Sequence, residues 1–274
     1  MPIKLIVSDL DGTLLTEKKV ISDYTKEALM YAIEKGCHFI PATGRALGAV
    51  PKEVLHFPGV EYVITSNGAA VYSVSEGKRV YQCRMCPGAI ETVAGLPRYP
   101  EAALEIFIEG IPYGQEDYIQ EPERFGATSF GAAYVKKTRI SVKDIYAFAL
   151  ENREKIDSIA FATADPAVKE KIRSMLLKEV KDIYVTSSVS HMLEAGHINA
   201  GKGNTLSVML KRLGITEEEA MAFGDGDNDM EMLSLVKYGI AMKNGSENCK
   251  KSASYITETN EQNGVGKAIY KFVL

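Results

Sequence analysis

An apolar run that stops at two carboxylates and a glycine is the feature that most constrains this chain. Residues 3–7 read Ile-Lys-Leu-Ile-Val, and Ser8-Asp9-Leu10-Asp11-Gly12 follow directly. Such aliphatic and β-branched residues are typical of a central parallel strand, and Gly12 permits a sharp turn where that strand ends. Ligands of open α/β sheets bind in the crevice beyond the carboxyl ends of the strands. We therefore predict that Asp9 and Asp11 face such a crevice.

Two acids so close in the chain repel each other unless a cation lies between them. A divalent metal ion would favour the ionised form of both side chains. Asp and Gly are also ordinary turn residues, so the stretch is equally compatible with a strand followed by an Asp-rich turn. The rest of the chain has to decide between these two interpretations.

Composition and charge narrow the class of protein. The chain has 274 residues, of which 46% are hydrophobic and 25% charged, as expected of a globular protein with one large or two ordinary domains. A net charge of −4 and the lack of a basic run argue against a nucleic-acid partner. No stretch resembles a signal peptide or a membrane span, so we expect a cytoplasmic protein without a membrane partner. The cysteines at 37, 83, 86 and 249 are expected to be reduced thiols.

Alternating strand and helix patterns divide the chain into two domains. Residues 1–82 and 190–274 show a βαβ rhythm that is typical of a parallel sheet. Between them, prolines break this rhythm and a second set of strands and helices begins, which predicts an inserted domain over residues 83–189. Its strands are expected at 104–108, 158–162 and 183–187, and its helices at 142–153 and 166–178. The predicted fold class is therefore α/β, a parallel-sheet core with an insertion.

A second group of acids follows a later strand. Residues 224–229 read Gly-Asp-Gly-Asp-Asn-Asp, between a predicted strand at 220–223 and a predicted helix at 227–236. Because this is again a carboxyl end, these acids should join Asp9 and Asp11, and metal binding becomes the leading interpretation. A calcium loop is excluded because Met230 and Val236 stand where Gly and Glu are required. Acids at a helix start are also favoured by capping and by the helix dipole alone.

Two further positions indicate anion binding. Lys202 is predicted at the start of a helix, where the dipole disfavours a cation, so it needs an anion nearby unless it is a solvated surface lysine. Thr43 and Gly44 offer a hydroxyl group and backbone amides where a strand meets a helix, an arrangement suited to oxyanions. A simple helix cap would have the same sequence.

Taken in order, four stretches resemble the four motifs of the haloacid dehalogenase superfamily. They are Asp9-Leu10-Asp11-Gly12-Thr13, Thr43-Gly44-Arg45, Gly201-Lys202-Gly203 and Gly224-Asp225-Gly226-Asp227-Asn228-Asp229. Residues 83–189 resemble the large α/β cap of the Cof-like phosphatases in this superfamily. The resemblance covers the whole chain, and it implies a Rossmann-like parallel-sheet core with an inserted cap that sets substrate specificity.

The resemblance also implies a role for each motif residue. Asp9 would be the nucleophile, and Asp11 the general acid and base. Mg²⁺ would be held by Asp9, the Asp11 carbonyl and Asp225. The phosphoryl oxygens would be bound by the side chains of Thr43, Lys202 and Asn228 and by the backbone of Leu10, Gly12 and Gly44. Asp229 would orient Lys202 or a metal-bound water, and Arg45 and Asn67 would support the site.

The expected function is magnesium-dependent hydrolysis of the phosphate monoesters of small metabolites, with sugar phosphates as the expected class, through an aspartyl-phosphate intermediate. A phosphomutase of hexose phosphates is the nearest alternative, and a non-catalytic module that binds a phosphometabolite is another. The sequence does not identify the substrate, the cap residues that select it or the oligomeric state. Cys83 and Cys86 lie at the proposed domain junction and receive no role.

Overall fold

The chain folds into two units, each assembled from separate stretches of sequence. The first contains the residues up to Gly44, residues 50–81 and the chain from Lys202 onward. The second contains Arg45–Ala49 and Gln82–Gly201. The structure is a computed structural model, and it describes residues 2–273.

The helices and strands follow the chain in three groups. Up to residue 82 they are β1 (Leu5–Ser8), α1 (Asp23–Glu34), β2 (His38–Pro41), α2 (Lys52–Leu55), β3 (Tyr62–Thr65), β4 (Ala70–Ser73) and β5 (Lys78–Gln82). Between residues 83 and 201 they are α3 (Pro87–Gly95), β6 (Ala102–Ile108), β7 (Ile111–Gln115), α4 (Glu116–Gln120), α5 (Ser129–Thr138), β8 (Ile140–Val142), α6 (Ile145–Glu151), β9 (Ile156–Thr163), α7 (Pro166–Glu179), β10 (Ile183–Thr186) and β11 (Met192–His197). The last group is α8 (Lys202–Leu213), β12 (Ala220–Gly224), α9 (Met230–Leu235), β13 (Tyr238–Met242), α10 (Glu247–Ser252), β14 (Tyr255–Thr257) and α11 (Gly264–Phe272).

A five-stranded parallel sheet in the order β14-β13-β12-β1-β2 forms the centre of the first unit. Strand β1 is fully buried because helices cover both faces of the sheet. Ile6 packs with α1 and α11, whereas Leu5 and Val7 pack with α8 and α9. Each of these side chains contributes roughly 1.5–3 kcal/mol by leaving water. This two-sided burial explains why residues 5–7 are all apolar.

The second unit is built on a six-stranded sheet in the order β10-β11-β9-β6-β7-β8. Its strand pairs are antiparallel except β7 and β8. Side chains of β6 alternate between two apolar clusters, with Leu104 and Ile106 on the face covered by α3, α6 and α7, and Ala103 and Phe107 on the other face. Between the latter two, the buried Glu105 carboxylate accepts hydrogen bonds from Arg139 of the α5–β8 junction, with an Nε–Oε1 distance of 2.6 Å.

The predicted fold class is confirmed: a Rossmann-like parallel-sheet core carries an inserted unit. Several elements coincide with their prediction, and a side chain caps the start of two of the helices. The Ser22 hydroxyl accepts from the Thr25 amide at the start of α1, and the Asp165 carboxylate accepts from the Ala167 and Val168 amides at the start of α7. Among residues 2–273, none of the helices has the length and apolar character needed to cross a bilayer.

Two boundaries differ from the sequence-based expectation. The chain was predicted to return to the core at residue 190, but β11 pairs antiparallel with both β9 and β10 and therefore belongs to the second sheet, so the return falls at Lys202. The helix predicted over 142–153 begins only at Ile145, because Asp144 caps it and residues 140–142 pair with β7 as a strand. The assignment of catalysis to one unit and specificity to the other stays a prediction.

Candidate active site

The predicted site residues of the first unit follow the ends of neighbouring strands. Asp9 comes directly after β1, Asp225 directly after β12, and Thr43 two residues after β2. Because these strands are parallel neighbours, their carboxyl ends lie at one edge of the sheet. Thr43 is 1% exposed and Asp9 6% exposed, so both side chains lie below the protein surface.

Lys202 is a buried residue with two carboxylate partners. It begins α8, is 1% exposed, and its Nζ lies 2.5 Å from Asp9 Oδ1 and 2.6 Å from Asp229 Oδ1. Burial alone would lower the pKa of Lys202, but the charges of Asp229 and Asp9 and their hydrogen bonds raise it well above its ordinary value. The side chain is therefore a fixed cation, and the alternative of a solvated surface lysine is excluded.

Asp229 is fully buried and uses both of its carboxylate oxygens. Oδ1 accepts from Lys202, while Oδ2 accepts from the backbone amides of Asp225 and Gly226 at 3.0 and 2.9 Å. One side chain thus links the helix that carries the lysine to the loop that carries Asp225. The predicted orientation of Lys202 by Asp229 requires such a contact, and the contact is present.

The carboxylates of Asp9, Asp225 and Asp229 form a group whose oxygens lie within 4.8 Å of one another. Burial, followed by the charge of Asp229, raises the pKa of Asp225 to about 7. Burial also raises the pKa of Asp9 well above its ordinary value, although Lys202 opposes this effect. Three acidic side chains thus lie close together at a buried place that holds one lysine. Hard, crowded oxygen donors of this kind fit a divalent cation, so the described residues are able to hold a metal ion.

Gly12 lets the first motif approach Asp225 closely. Its φ is +81°, and a Cβ atom built there would collide with the Asp225 carboxylate. Thr13, the next residue, donates from Oγ1 to Asp225 Oδ1 at 2.7 Å. Asn244 donates from Nδ2 to the Gly12 carbonyl oxygen at 2.7 Å. Thr13 lies within the first motif but had no predicted role of its own, and Asn244 lies outside all four motifs.

A strained turn after β3 connects the remaining motifs. Ser66 and Asn67 have φ of 50° and 52°, a conformation that is uncommon for residues with a side chain. The Asn67 amide donates to the Thr43 carbonyl oxygen at 3.0 Å, and the Asn228 side-chain amide donates to Asn67 Oδ1 at 2.9 Å. Thr205 of α8 donates from Oγ1 to the Gly68 carbonyl oxygen at 2.6 Å. Asn67 therefore joins the second and fourth motifs, and Gly68 of the same turn binds the helix that begins at Lys202. The supporting role of Asn67 stays a prediction.

The same turn carries a polar atom that the described residues leave without a partner. Ser66 is 1% exposed, and its Oγ has no hydrogen-bond partner within residues 2–273. Leaving a buried hydroxyl group without a partner is costly. A polar ligand would compensate for this cost.

Two of the predicted residues lie outside the buried group. Asp11 is partly exposed, and its Oδ1 lies 2.7 Å from Lys19 Nζ rather than among the clustered acids. Arg45 belongs to the second unit, where its guanidinium group lies 4.4 Å from the centre of the Tyr134 ring and donates to the Ala49 carbonyl oxygen at 3.0 Å. Leu10, Gly12 and Gly44 were predicted to act through their backbone, and that role stays a prediction.

The chain is similar to known proteins over nearly its whole length. A family model described as haloacid dehalogenase-like hydrolase matches residues 6–269. The chain is 28% identical to the phosphatase YwpJ of Bacillus subtilis, covering 96% of this chain and 97% of that protein. It is 27% identical to the 5-amino-6-(5-phospho-D-ribitylamino)uracil phosphatase of the same organism, covering 99% of this chain and 96% of that one.

A longer protein is also similar. The chain is 28% identical over 97% of its length to the Arabidopsis thaliana protein named endoribonuclease YBEY, chloroplastic, and it spans 46% of that protein.

Solved structures show the same fold. A haloacid dehalogenase-like hydrolase from B. subtilis superposes with a TM-score of 0.83 at 26% identity, covering 99% of this chain and all of that one. A second one, from Bacteroides thetaiotaomicron, superposes with a TM-score of 0.78 at 27% identity, covering 98% of this chain and 99% of that one. This chain belongs to the haloacid dehalogenase-like hydrolase family, as its four motifs predicted.

Proposed function

We propose that this hydrolase cleaves phosphate monoesters of small metabolites with the help of Mg²⁺ and through an aspartyl-phosphate on Asp9. The observation that carries the proposal is the buried Lys202, whose ammonium group lies against Asp9 while the carboxylates of Asp225 and Asp229 crowd the same place. A buried carboxylate beside a fixed cation and a group of metal-binding oxygens is what phosphoryl transfer to an aspartate requires.

Charge is the main obstacle to this reaction. Enzymes accelerate phosphate-monoester hydrolysis by up to about 10²¹-fold, and they do so largely by stabilising charge in a site prepared in advance. Mg²⁺, held by Asp9, Asp225 and the Asp11 carbonyl, would supply positive charge to the nucleophile and the phosphoryl group. Lys202 contributes a second positive charge, which Asp229 keeps in place.

The reaction divides into two displacements. In the first, an Asp9 oxygen bonds to phosphorus, the ester P–O bond breaks, and Asp11 gives its proton to the leaving oxygen. In the second, a water oxygen bonds to phosphorus, the bond from Asp9 to phosphorus breaks, and Asp11 takes the proton of the water. Thr43, Asn228 and the backbone of Leu10, Gly12 and Gly44 would hold the phosphoryl oxygens.

The proposed substrate class is small phosphorylated metabolites that carry a sugar or sugar-alcohol chain. One B. subtilis relative is named for a substrate with a phosphorylated ribityl chain, which supports this class. We assign substrate selection to the second unit, which would act as the cap.

Phosphate release from a panel of phosphorylated metabolites tests the proposal. We expect release from at least one sugar phosphate with Mg²⁺, loss of this activity in excess chelator, and no activity in Asp9→Asn. An isomeric product without phosphate release would indicate a phosphomutase instead. Tight binding of a phosphometabolite with no turnover of any compound would indicate a binding module.

A further inference from the structure

Lys19 and Asp11 form an ion pair that the family motifs do not include. The Lys19 Nζ lies 2.7 Å from Asp11 Oδ1, and the two side chains are 30% and 32% exposed. A pair as exposed as this one adds little to stability in water. Its partner, however, is the side chain to which we assign the proton transfers.

The backbone at Lys19 is held in a hydrogen-bonded turn. Lys19 has φ of 60°, in the left-handed region that residues with a Cβ atom rarely adopt. The turn is closed by hydrogen bonds from the Lys19 amide to the Thr16 carbonyl oxygen at 2.8 Å and from the Thr16 amide to the Val20 carbonyl oxygen at 3.0 Å. The Thr16 hydroxyl also donates to the Val20 carbonyl oxygen at 3.1 Å.

The chain near the C-terminus anchors this turn to the rest of the first unit. Asn260 donates from Nδ2 to the Leu15 carbonyl oxygen at 2.9 Å, and the Glu17 amide donates to Glu261 Oε1 at 2.6 Å. The Asn260 amide in turn donates to Asn244 Oδ1 at 3.1 Å, and Asn244 binds the Gly12 carbonyl oxygen. The turn that carries Lys19 and the motif that carries Asp11 are thus attached to the same residues.

We propose that Lys19 is a positioning residue for Asp11, a role that rests on the proposed function. By binding Oδ1, the ammonium group restricts rotation of the carboxyl group, so Asp11 spends more time in the orientation from which it donates its proton. When Asp11 has given that proton to the leaving oxygen, it carries a negative charge, and the ammonium group already lies beside it. The contact with Lys19 should increase the rate of the first displacement most when the leaving group is a poor one.

The test compares Lys19→Met, Lys19→Arg and Lys18→Met. Lys18 is the matched control because it is an exposed lysine on the same turn. For each variant, kcat/KM is measured with an alkyl phosphate from the active panel and with p-nitrophenyl phosphate, whose leaving group departs with little protonation. The ratio kcat/KM reports the steps up to release of the leaving group, so slow hydrolysis of the aspartyl-phosphate does not hide the effect.

We expect Lys19→Met to lose about tenfold or more in kcat/KM for the alkyl ester and less than about threefold for the aryl ester, since general acid catalysis contributes roughly 10²–10⁴-fold. Lys19→Arg should recover most of this loss, and Lys18→Met should match the wild type. In the Asp11→Asn background, Lys19→Met should have no further effect on the alkyl ester, because the group that it positions is gone.

Three results would overturn the proposal: equal behaviour of Lys19→Met and Lys18→Met, equal losses for both esters, or losses that multiply when Lys19→Met and Asp11→Asn are combined. Failure of the proposed function gives a different result, because the wild type itself then releases no phosphate from any ester. In that case the role of Lys19 is overturned as well.

Discussion

The Nζ of Lys202 lies 2.5 Å from Oδ1 of Asp9, although the two residues are 193 positions apart in the chain. This contact joins the first helix after the inserted unit to the strand that opens the core. A buried lysine with two carboxylate partners is both a structural and a chemical element, and its replacement should therefore affect stability and activity separately.

We expect Lys202→Met to lower kcat by at least about 10²-fold, the usual cost of losing one preorganised charge in an active site. The same change leaves Asp9 and Asp229 buried without their cation, and breaking a buried pair in this way costs about 3–5 kcal/mol of stability. Steady-state kinetics and urea unfolding measure the two effects. The double variant Lys202→Met with Asp229→Asn serves as the control, and it should recover part of the stability but none of the activity.

An unchanged rate in Lys202→Met would remove the lysine from the proposed chemistry. Recovery of activity in the double variant would mean that the lysine acts only by neutralising Asp229.

The metal requirement should depend on Asp225 more than on its neighbour in the same motif. Asp225 belongs to the acid group, whereas Asp227 accepts hydrogen bonds from Ser246 and Asn248. Asp225→Asn removes one anionic ligand, so we expect the Mg²⁺ concentration for half-maximal activity to rise by about tenfold or more. Asp227→Asn is the matched control and should change this concentration less than about threefold. Full activity of the wild type in excess chelator would contradict the magnesium requirement.

The sequence was most informative where a residue's environment follows from its neighbours in the chain. The burial of β1 and the helix that starts at Lys202 depend on local patterns, and both were predicted. The position of Lys202 at the start of a predicted helix also indicated that an anion had to lie near it. The identity of these anions depends on residues that come together only on folding. The resemblance to the motifs of the haloacid dehalogenase superfamily suggested them.

Contacts between distant segments could not be predicted in this way. Strand β11 was assigned to the core because its pairing with β9 and β10 has no local signature. Asn244 looks like an ordinary loop residue, yet it binds a carbonyl oxygen 232 positions earlier in the chain. Lys19 reads as one of two adjacent surface lysines, and its left-handed backbone and its contact with Asp11 distinguish it from Lys18 only after folding.

Acid stability should depend on the pair formed by Lys4 and Glu219, whose Nζ and Oε1 lie 2.6 Å apart. The hydrogen bond from Lys4, together with those from the Thr216 backbone and hydroxyl, lowers the pKa of Glu219 from 4.5 to about 2. A carboxyl group with a lowered folded-state pKa stabilises the fold fully above its unfolded pKa, and this contribution is lost as the pH falls through the folded value. The contribution of Glu219 to stability is therefore lost between pH 4.5 and pH 2.

Urea unfolding of the wild type and Glu219→Gln between pH 6 and pH 2 measures this contribution. We expect the variant to be less stable at pH 6, with a difference that shrinks steadily below pH 4.5. Glu218→Gln, at the neighbouring position, is the control and should show a smaller difference. If the difference in unfolding free energy between the wild type and Glu219→Gln stays constant down to pH 2, the predicted pH dependence is contradicted.

The covalent mechanism makes a prediction that separates the roles of Asp9 and Asp11. If Asp11 is the acid of the first displacement and the base of the second, Asp11→Asn should slow both steps, but it should slow the first one less when the leaving group is already good. An activated aryl phosphate needs little protonation to depart. With p-nitrophenyl phosphate, Asp11→Asn should therefore phosphorylate Asp9 and then stall, because no base remains to activate water.

Rapid-quench mass spectrometry of the intact protein measures the stalled species. We expect one added phosphoryl group in Asp11→Asn and none in Asp9→Asn or in the double variant. The geometry favours this separation because Asp9 is buried against Lys202, whereas Asp11 lies partly exposed beside Lys19. An adduct that persists when Asp9 is replaced would move the nucleophile to another residue. The absence of an adduct under every quench condition would count against the covalent route itself, since a stalled aspartyl-phosphate has to accumulate when its hydrolysis is the slower step.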